Sequence, residues 1–221
     1  MKYTAKVILL AYCCVTLLDL LFIYVDWNTA RWCTKPLLMP LLAALIWMHR
    51  SKLKYYNWVL AALLLSWAGD VLLQMSGMFI PGLVSFLCAH FCYIIYFTKL
   101  APGHSGLLQQ DPLIGLPVLI YVFVFLWLLY PFLDSMRLPV TVYSITIGAM
   151  LLLSINTIGK LTQRTARLFF NGALQFVLSD SILAVNLFAF PGKVLSLCVM
   201  ATYASAQYLI VSGAMETAKD S

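Results

Sequence analysis

Long apolar segments, separated by short polar connections, fill almost the whole chain of 221 residues. A helix needs ~20 apolar residues to cross ~30 Å of hydrocarbon. The connections are short and carry Pro, Gly or charged residues, as turns between antiparallel helices require. We therefore predict eight membrane-spanning helices, at residues 7–25, 31–48, 56–75, 79–98, 113–131, 137–158, 168–188 and 193–213.

The composition agrees with this pattern, because 63% of the residues are hydrophobic and only 10% are charged. Such values lie outside the range of soluble domains, and they leave little sequence for a domain outside the membrane. We expect an all-α polytopic bundle in which residues 1–221 form a single integral membrane domain. It would be a multi-pass protein of the inner membrane if the source is bacterial, or of the endoplasmic reticulum if it is eukaryotic.

The distribution of Lys and Arg predicts the orientation. Arg31, Arg137 and Lys193 fall on one predicted side. The other side holds Lys2, Lys6, Arg50, Lys52, Lys54, Lys99, Lys160, Arg164, Arg167 and Lys219. Since basic residues accumulate in cytoplasmic loops, both termini are predicted to be cytoplasmic. Basic loops that face anionic lipid explain the net charge of +6, so no nucleic-acid partner is expected.

Three acidic residues, Asp19, Asp70 and Asp180, lie inside apolar segments. A carboxylate in the bilayer core costs at least ~2.5 to 3.5 kcal/mol on insertion scales, and such residues usually serve a function. At ~1.5 Å per residue, all three lie roughly 18 to 21 Å from the predicted cytoplasmic helix ends. Asp70, in SWAGDVLL, and Asp180, in VLSDSILA, are half the chain apart, which suggests a four-plus-four internal repeat.

Further polar side chains are arranged by helical spacing. Residues three or four apart share one helical face. Three such pairs occur in the apolar segments: His90 with Tyr93, Ser66 with Asp70, and Tyr203 with Gln207. We therefore expect a polar cavity in the outer half of the membrane, with Lys35 about 6 Å from the outer end of its helix.

Five short motifs carry a resemblance to a known family. They are TKPL at 34–37, SWAGD at 66–70, AHFCY at 89–93, GAL with LSD at 172–174 and 178–180, and Tyr203 with Gln207. In this order they resemble the YhhN family, whose animal members are lysoplasmalogenases. The resemblance implies an eight-helix enzyme with a lysophospholipid substrate, lysoplasmalogen. Cleavage of its vinyl-ether bond would give a fatty aldehyde and glycerophosphocholine or glycerophosphoethanolamine.

This reaction suits a pair of carboxyl groups. It needs a proton on the β-carbon of the vinyl ether, stabilisation of an oxocarbenium-like cation, and addition of water. Two neighbouring carboxyls do not readily ionise together, so one can act as the acid while the other stays anionic, as in glycosidases. We predict Asp70 and Asp180 as the catalytic pair, in either assignment, with His90 relaying a proton or orienting water.

Other polar residues are predicted to bind the substrate. Tyr93 or Tyr203 would hydrogen-bond a carboxylate or the leaving oxygen, and Lys35 would contact the phosphate as a point charge. Asp19 is expected to be structural, paired with Lys35 or bonded across helices. No metal or cofactor is expected, because a zinc site would need about three His or Cys ligands. The remaining predicted binding residues are Ser66, Ser179 and Gln207.

Two other classes of membrane protein share some of these features. An intramembrane aspartyl protease uses two Asp residues, but the AGD at 68–70 matches only half of its GxGD motif, because the leading Gly is absent. A small transporter would use intramembrane acids for proton coupling, and its broken helices would carry Gly or Pro at mid-span. Here Pro36, Pro40 and Pro117 lie near the ends of predicted spans.

Overall fold

The structure, a computed structural model, describes residues 2–100 and 105–219. Within these ranges the chain is almost entirely helical. The α-helices are α1 (Lys2–Tyr24), α2 (Asn28–His49), α3 (Tyr56–Gln74), α4 (Phe79–Leu100), α5 (Leu107–Gln110), α6 (Leu116–Leu129), α7 (Arg137–Ile155), α8 (Gln163–Ala184) and α9 (Lys193–Glu216). Short 3-10 segments flank α6, and a π-helical segment, Val185–Ala189, continues α8.

Seven helical segments of the described residues are long and apolar enough to cross a membrane. Their bounds are Tyr3–Tyr24, Tyr56–Gln74, Phe79–Leu100, Pro112–Phe132, Asp134–Ile155, Gln163–Ala189 and Lys193–Glu216. These segments correspond to seven of the eight predicted spans, so the chain is a multi-pass membrane protein. The remaining prediction, 31–48, coincides with α2, which has 22 residues but also carries Arg31, Lys35 and two prolines.

Both prolines lie inside α2, where a proline removes a backbone hydrogen bond. Pro40 has no N–H to donate to the carbonyl of Pro36, four residues earlier. The indole N–H of Trp67 on α3 donates to that carbonyl instead, at 2.9 Å. This bond fastens α2 to α3 one residue away from Lys35 and three residues away from Asp70.

Seven of the long helices form a closed ring in the order α1, α2, α3, α4, α7, α8 and α9, and α9 contacts α1 again. The closest pairs are α3 with α4 and α8 with α9. Helix α6 lies outside the ring against α7 and the π-helical segment. A continuous apolar core fills the ring, with Leu42, Leu63, Phe169 and Phe176 among its fully buried side chains.

The π-helical segment was not predicted from the sequence. It carries Asn186, whose side-chain nitrogen donates to Ser196 Oγ at 3.0 Å. The side-chain oxygen of Asn186 accepts from the backbone N–H of Gly192 at 2.7 Å. These two bonds close the turn between α8 and α9. They also bring Asn186 and Ser196 to the wall of the cavity described below.

Candidate functional site

A cavity of about 230 Å³ opens between α2, α3, α4, α7, α8 and α9, and Phe125 of α6 also lines it. Most of its wall is apolar, formed by residues such as Leu83, Phe86, Phe125 and Ile147. Its polar and charged lining residues are Arg31, Lys35, Asp70, Tyr143, Ser144, Ser179, Asp180, Ser181, Asn186, Ser196 and Tyr203. The cavity therefore combines an apolar chamber with two carboxyl groups and two cations.

Asp70 is held by partners from two other helices. Lys35 on α2 places its ammonium nitrogen 3.3 Å from Oδ1, and the Tyr203 hydroxyl on α9 donates to Oδ2 at 2.7 Å. The Asp70 side chain is only 2% exposed. Both carboxylate oxygens are thus engaged, and a buried carboxylate next to an ammonium group is stabilised in its anionic form.

Asp180 has different partners and is more open to the cavity. The Tyr143 hydroxyl on α7 donates to Oδ2 at 2.5 Å, and His90 Nε2 on α4 lies 3.4 Å from the same oxygen. No Lys or Arg among the described residues pairs with Asp180. Its side chain is 14% exposed, against 2% for Asp70.

His90 connects to Asp180 mainly through Tyr143. Its Nε2 lies 2.9 Å from the Tyr143 hydroxyl oxygen, whose own proton is directed to Asp180. A His90 Nε2–H that donates to Tyr143 completes this chain of hydrogen bonds. His90 Nδ1 is buried and has no hydrogen-bond partner among the described residues.

Aromatic rings separate the two acidic centres. Phe176 lies edge-on to both His90 and Tyr203, with ring centroids 4.7 Å and 5.6 Å away. Phe86 packs edge-on against Tyr203 at 5.9 Å. Residue 69 must be Gly for this packing, because a Cβ there would lie 2.6 Å from the Phe86 ring. The phenol of Tyr203 is therefore held against Asp70.

Three of the predicted binding residues do not line the cavity. Tyr93 donates to Gln207 Oε1 at 2.6 Å, and the Gln207 amide donates to Ser66 Oγ at 3.0 Å. All three side chains are fully buried and link α4, α9 and α3. Of the other predicted site residues, Lys35, Asp70, Ser179, Asp180 and Tyr203 line the cavity, and His90 lies behind Tyr143.

Asp19 bonds across helices, as expected, but its cationic partner is not Lys35. Arg31 lies 3.3 Å from Asp19 Oδ2, and the Thr34 hydroxyl donates to Oδ1 at 2.7 Å. Arg31 is one helical turn before Lys35, so the two cations of α2 share a face and reach different acids. Lys35, which is predicted to contact the substrate phosphate, lies against Asp70 in this structure.

Sequence reasoning missed Tyr143 and Arg31 as cavity residues. Tyr143 lies on α7, which carries no acid, and nothing in its neighbourhood marks it among twelve tyrosines. Arg31 did offer a signal, because it precedes Lys35 by four residues on one helical face. Within residues 2–100 and 105–219, no group of three or more His, Cys, Asp or Glu side chains is arranged to hold a metal ion.

Comparison with known proteins agrees with this arrangement of motifs. The model of the YhhN family matches residues 30–214, which carry both acidic centres. The chain belongs to the YhhN family. No solved structure matches the chain significantly.

Several proteins that are similar in sequence to this chain are named lysoplasmalogenases. The chain is 38% identical to lysoplasmalogenase TMEM86B of Sus scrofa over 149 residues, which cover 67% of this chain and 59% of that protein. It is 33% identical to the Homo sapiens TMEM86B over 176 residues, 80% of this chain and 71% of the relative. A Mycobacterium tuberculosis lysoplasmalogenase is 30% identical over 166 residues, 71% of this chain and 60% of the relative. The chain thus spans between 59% and 71% of the length of these relatives.

Proposed function

We propose that this protein hydrolyses the vinyl-ether bond of lysoplasmalogen, giving a fatty aldehyde and glycerophosphocholine or glycerophosphoethanolamine. The observation that carries the proposal is the pair of carboxyl groups, Asp70 and Asp180, in one largely apolar cavity. The names of the relatives support the same substrate class. A lysolipid can enter such a cavity from the membrane, with its single chain against the apolar wall.

We assign the general acid to Asp180. It faces the cavity more openly than Asp70, so it can reach the substrate, and it has no Lys or Arg partner among the described residues. Asp180 donates a proton to the β-carbon of the vinyl ether, and the double bond becomes an oxocarbenium ion. The Tyr143 hydroxyl, 2.5 Å from Oδ2, stabilises the carboxylate that Asp180 leaves behind.

Asp70 is the anionic partner in this mechanism. Lys35 and Tyr203 are its partners, and as an anion it would stabilise the cation that forms in the transition state. Water then adds to the cationic carbon and gives up a proton to a carboxylate, which produces a hemiacetal. The hemiacetal hydroxyl loses its proton as the bond to the glycerol oxygen breaks, and that oxygen is protonated. The products are the aldehyde and the glycerol hydroxyl.

Aldehyde release from purified protein in detergent tests the proposal. Wild type should release aldehyde from lysoplasmalogen and not from an ester-linked lysophospholipid. Asp70→Asn and Asp180→Asn should each lower kcat by about 10²-fold to 10⁴-fold, the usual range for a catalytic acid or base. Asp134→Asn, in the connection between α6 and α7, is the matched control and should keep full activity. The proposed reaction would be refuted if the wild type released no aldehyde, or if Asp70→Asn and Asp180→Asn both kept full activity.

The topology that accompanies this function is also a proposal. We propose that α2 crosses the membrane, since it has 22 residues and its charges at Arg31 and Lys35 are paired with acids inside the ring. Eight spans place both termini on one side, and the excess of Lys and Arg assigns that side to the cytoplasm. The membrane would be the inner membrane of a bacterium or the endoplasmic reticulum of a eukaryote.

A four-plus-four repeat is part of the same proposal. It pairs α1–α4 with α6–α9, so that Asp70 on α3 corresponds to Asp180 on α8. Each acid takes one partner from the second helix of its own half, namely Lys35 or Tyr143. Each takes its other partner from the fourth helix of the opposite half, namely Tyr203 or His90. This exchange is what a pseudo-twofold axis between the halves would produce.

A transporter coupled to protons is the second candidate, favoured by the prolines of α2 and the acids in the cavity. The bond from Trp67 to the Pro36 carbonyl restrains α2, which argues for a fixed helix rather than a hinge. Reconstituted vesicles distinguish the two functions. Substrate uptake that depends on a proton gradient and is abolished by Asp70→Asn, without aldehyde release, would favour transport.

A further inference from the structure

The cavity has two cationic lining residues within the described chain, Arg31 and Lys35, and they differ in how far their charge is used. The Lys35 ammonium group is committed to Asp70, which the mechanism needs as an anion. Arg31 is paired at 3.3 and 3.4 Å with Asp19, which does not line the cavity and is not used by the proposed mechanism.

The contacts of Arg31 use only one edge of its guanidinium group. Nε donates to Asp19 Oδ1 and Nη2 donates to Oδ2, so Asp19 orients the plane of the group. The Thr34 hydroxyl donates to Asp19 at 2.7 Å and fixes the carboxylate in turn. Nη1 has no hydrogen-bond acceptor among the described residues. Since the Arg31 side chain is 21% exposed and lines the cavity, these donors are available to a ligand.

The spacing of the two cations matches the proposed substrate. Arg31 and Lys35 are four residues apart on α2, so they are separated by about one helical turn of 5.4 Å. In a lysoplasmalogen, five single bonds join the ether oxygen at sn-1 to the phosphorus at sn-3, which is about 6 Å when extended. The Cα spacing of the two cations is therefore compatible with an ether oxygen near Asp70 and Lys35 and a phosphate at Arg31.

We propose that Arg31 binds the substrate phosphate and is the residue that selects phosphorylated alkenyl glycerols over neutral ones. Asp19 and Thr34 act as positioning residues, because they orient the guanidinium group without touching the substrate. This role differs from that of Lys35, whose partner is the catalytic anion. The proposal rests on the proposed function for the identity of the lipid, but its binding step is independent of catalysis.

Two substrates that differ only in the phosphate headgroup test the proposal. One is lysoplasmalogen and the other is the corresponding 1-O-alkenylglycerol. Arg31→Gln should raise KM for lysoplasmalogen by about 10-fold to 100-fold, since it removes charged hydrogen bonds. Its kcat should stay close to that of wild type, and its KM for the alkenylglycerol should not change. The KM of Arg31→Lys for lysoplasmalogen should lie between those of wild type and Arg31→Gln, because an ammonium group keeps the charge but not the paired donors.

Arg137→Gln is the matched control. Arg137 is on the same predicted side of the membrane, but it packs on the Tyr130 ring at 4.4 Å and does not line the cavity. This variant should behave as wild type with both substrates. An Arg31→Gln variant whose KM for lysoplasmalogen is unchanged, or rises equally for both substrates, would overturn the phosphate site.

Binding of inert analogues keeps this test separate from catalysis. Wild type should bind an alkyl-ether lysophospholipid more tightly than the matching alkylglycerol, measured by tryptophan fluorescence, and Arg31→Gln should remove that difference. Because buried Asp19 loses its cation in this variant, Asp19→Asn with Arg31→Gln serves as a second, uncharged variant and should give the same result. Equal binding of the two lipids by wild type would refute the phosphate site. Selective binding without any aldehyde release would contradict only the proposed reaction.

Discussion

The two acidic centres of the cavity share one kind of partner and differ in the other. Each carboxyl group accepts a tyrosine hydroxyl, from Tyr203 at Asp70 and from Tyr143 at Asp180. The remaining partner is an ammonium group at Asp70 and an imidazole at Asp180. An adjacent cation stabilises the ionised form of a buried acid, whereas burial itself favours the protonated form.

The proposed mechanism needs the two carboxyls in different protonation states, and their different partners support that proposal. Two identical centres close together would compete for ionisation, as paired carboxyls do in other active sites. Here Lys35 pairs with Asp70, and no Lys or Arg of the described residues pairs with Asp180. The proposed roles of anion at Asp70 and acid at Asp180 follow from this asymmetry, so variants that reduce the asymmetry are the sharpest tests.

Removing the cation from Asp70 should have the largest effect on stability. Lys35→Met leaves a buried carboxylate without its counter-charge, and such a loss costs about 3 to 5 kcal/mol. Titration with a denaturing detergent, followed by circular dichroism, measures the change. The double variant with Asp70→Asn should recover most of the stability, because no charge is then left unpaired. A Lys35→Met cost no larger than that of Tyr143→Phe would contradict the electrostatic difference between the centres.

Removing the two tyrosine hydroxyls should affect the rate unequally. Tyr143→Phe should lower kcat by about 10-fold to 100-fold, because the carboxylate that forms at Asp180 loses its closest donor. Tyr203→Phe should cost less than about 10-fold, since Asp70 keeps Lys35. Aldehyde release under saturating lysoplasmalogen measures both. Equal losses would mean that the two carboxyls change charge to the same extent during the reaction.

The polar chain behind the cavity should contribute to stability on the Asp70 side. Gln207→Leu leaves the buried hydroxyls of Tyr93 and Ser66 without their partner, at a cost of about 1 to 2 kcal/mol. The triple variant that adds Tyr93→Phe and Ser66→Ala should be more stable than Gln207→Leu alone, because no polar group then remains unsatisfied. Detergent denaturation compares the three proteins. If the triple variant is no more stable than Gln207→Leu, the unsatisfied hydroxyls of Tyr93 and Ser66 are not the cause of the lost stability.

Much of the fold followed from the apolar pattern, because bilayer thickness dictates helix length. The predicted span 56–75 is helix Tyr56–Gln74, and 193–213 lies within Lys193–Glu216. The π-helical segment at Val185–Ala189 escaped prediction, since its sequence is as apolar as an ordinary helix. The depths of Asp70 and Asp180 along their own helices also predict that they share one cavity, and both residues line the cavity in the structure.

Partnerships between helices were less predictable than depth. Residue spacing gives the face of one helix, but not the helix that this face meets. For that reason Lys35 is a predicted partner of Asp19, whereas Arg31 pairs with Asp19 and Lys35 contacts Asp70. For the same reason Tyr143 escaped notice, although its hydroxyl is the closest donor to Asp180. The pairing of helices depends on the packing of the whole ring, which no local motif encodes.

The smallest expected effect on stability comes from two corresponding serine hydrogen bonds between helices. Ser85 on α4 donates to the Leu65 carbonyl of α3 at 2.7 Å, and Ser179 on α8 donates to the Val199 carbonyl of α9 at 3.0 Å. Each bond joins the two helices of a closely packed pair. Hydrogen bonds between membrane helices contribute about 0.6 kcal/mol on average, so Ser85→Ala and Ser179→Ala should each lower the unfolding free energy by about that amount. Neither bond involves the acids. Equal losses of unfolding free energy in the two variants would mean that the two halves differ in the partners of their acids and not in helix packing. Unequal losses would mean that the helix packing differs as well.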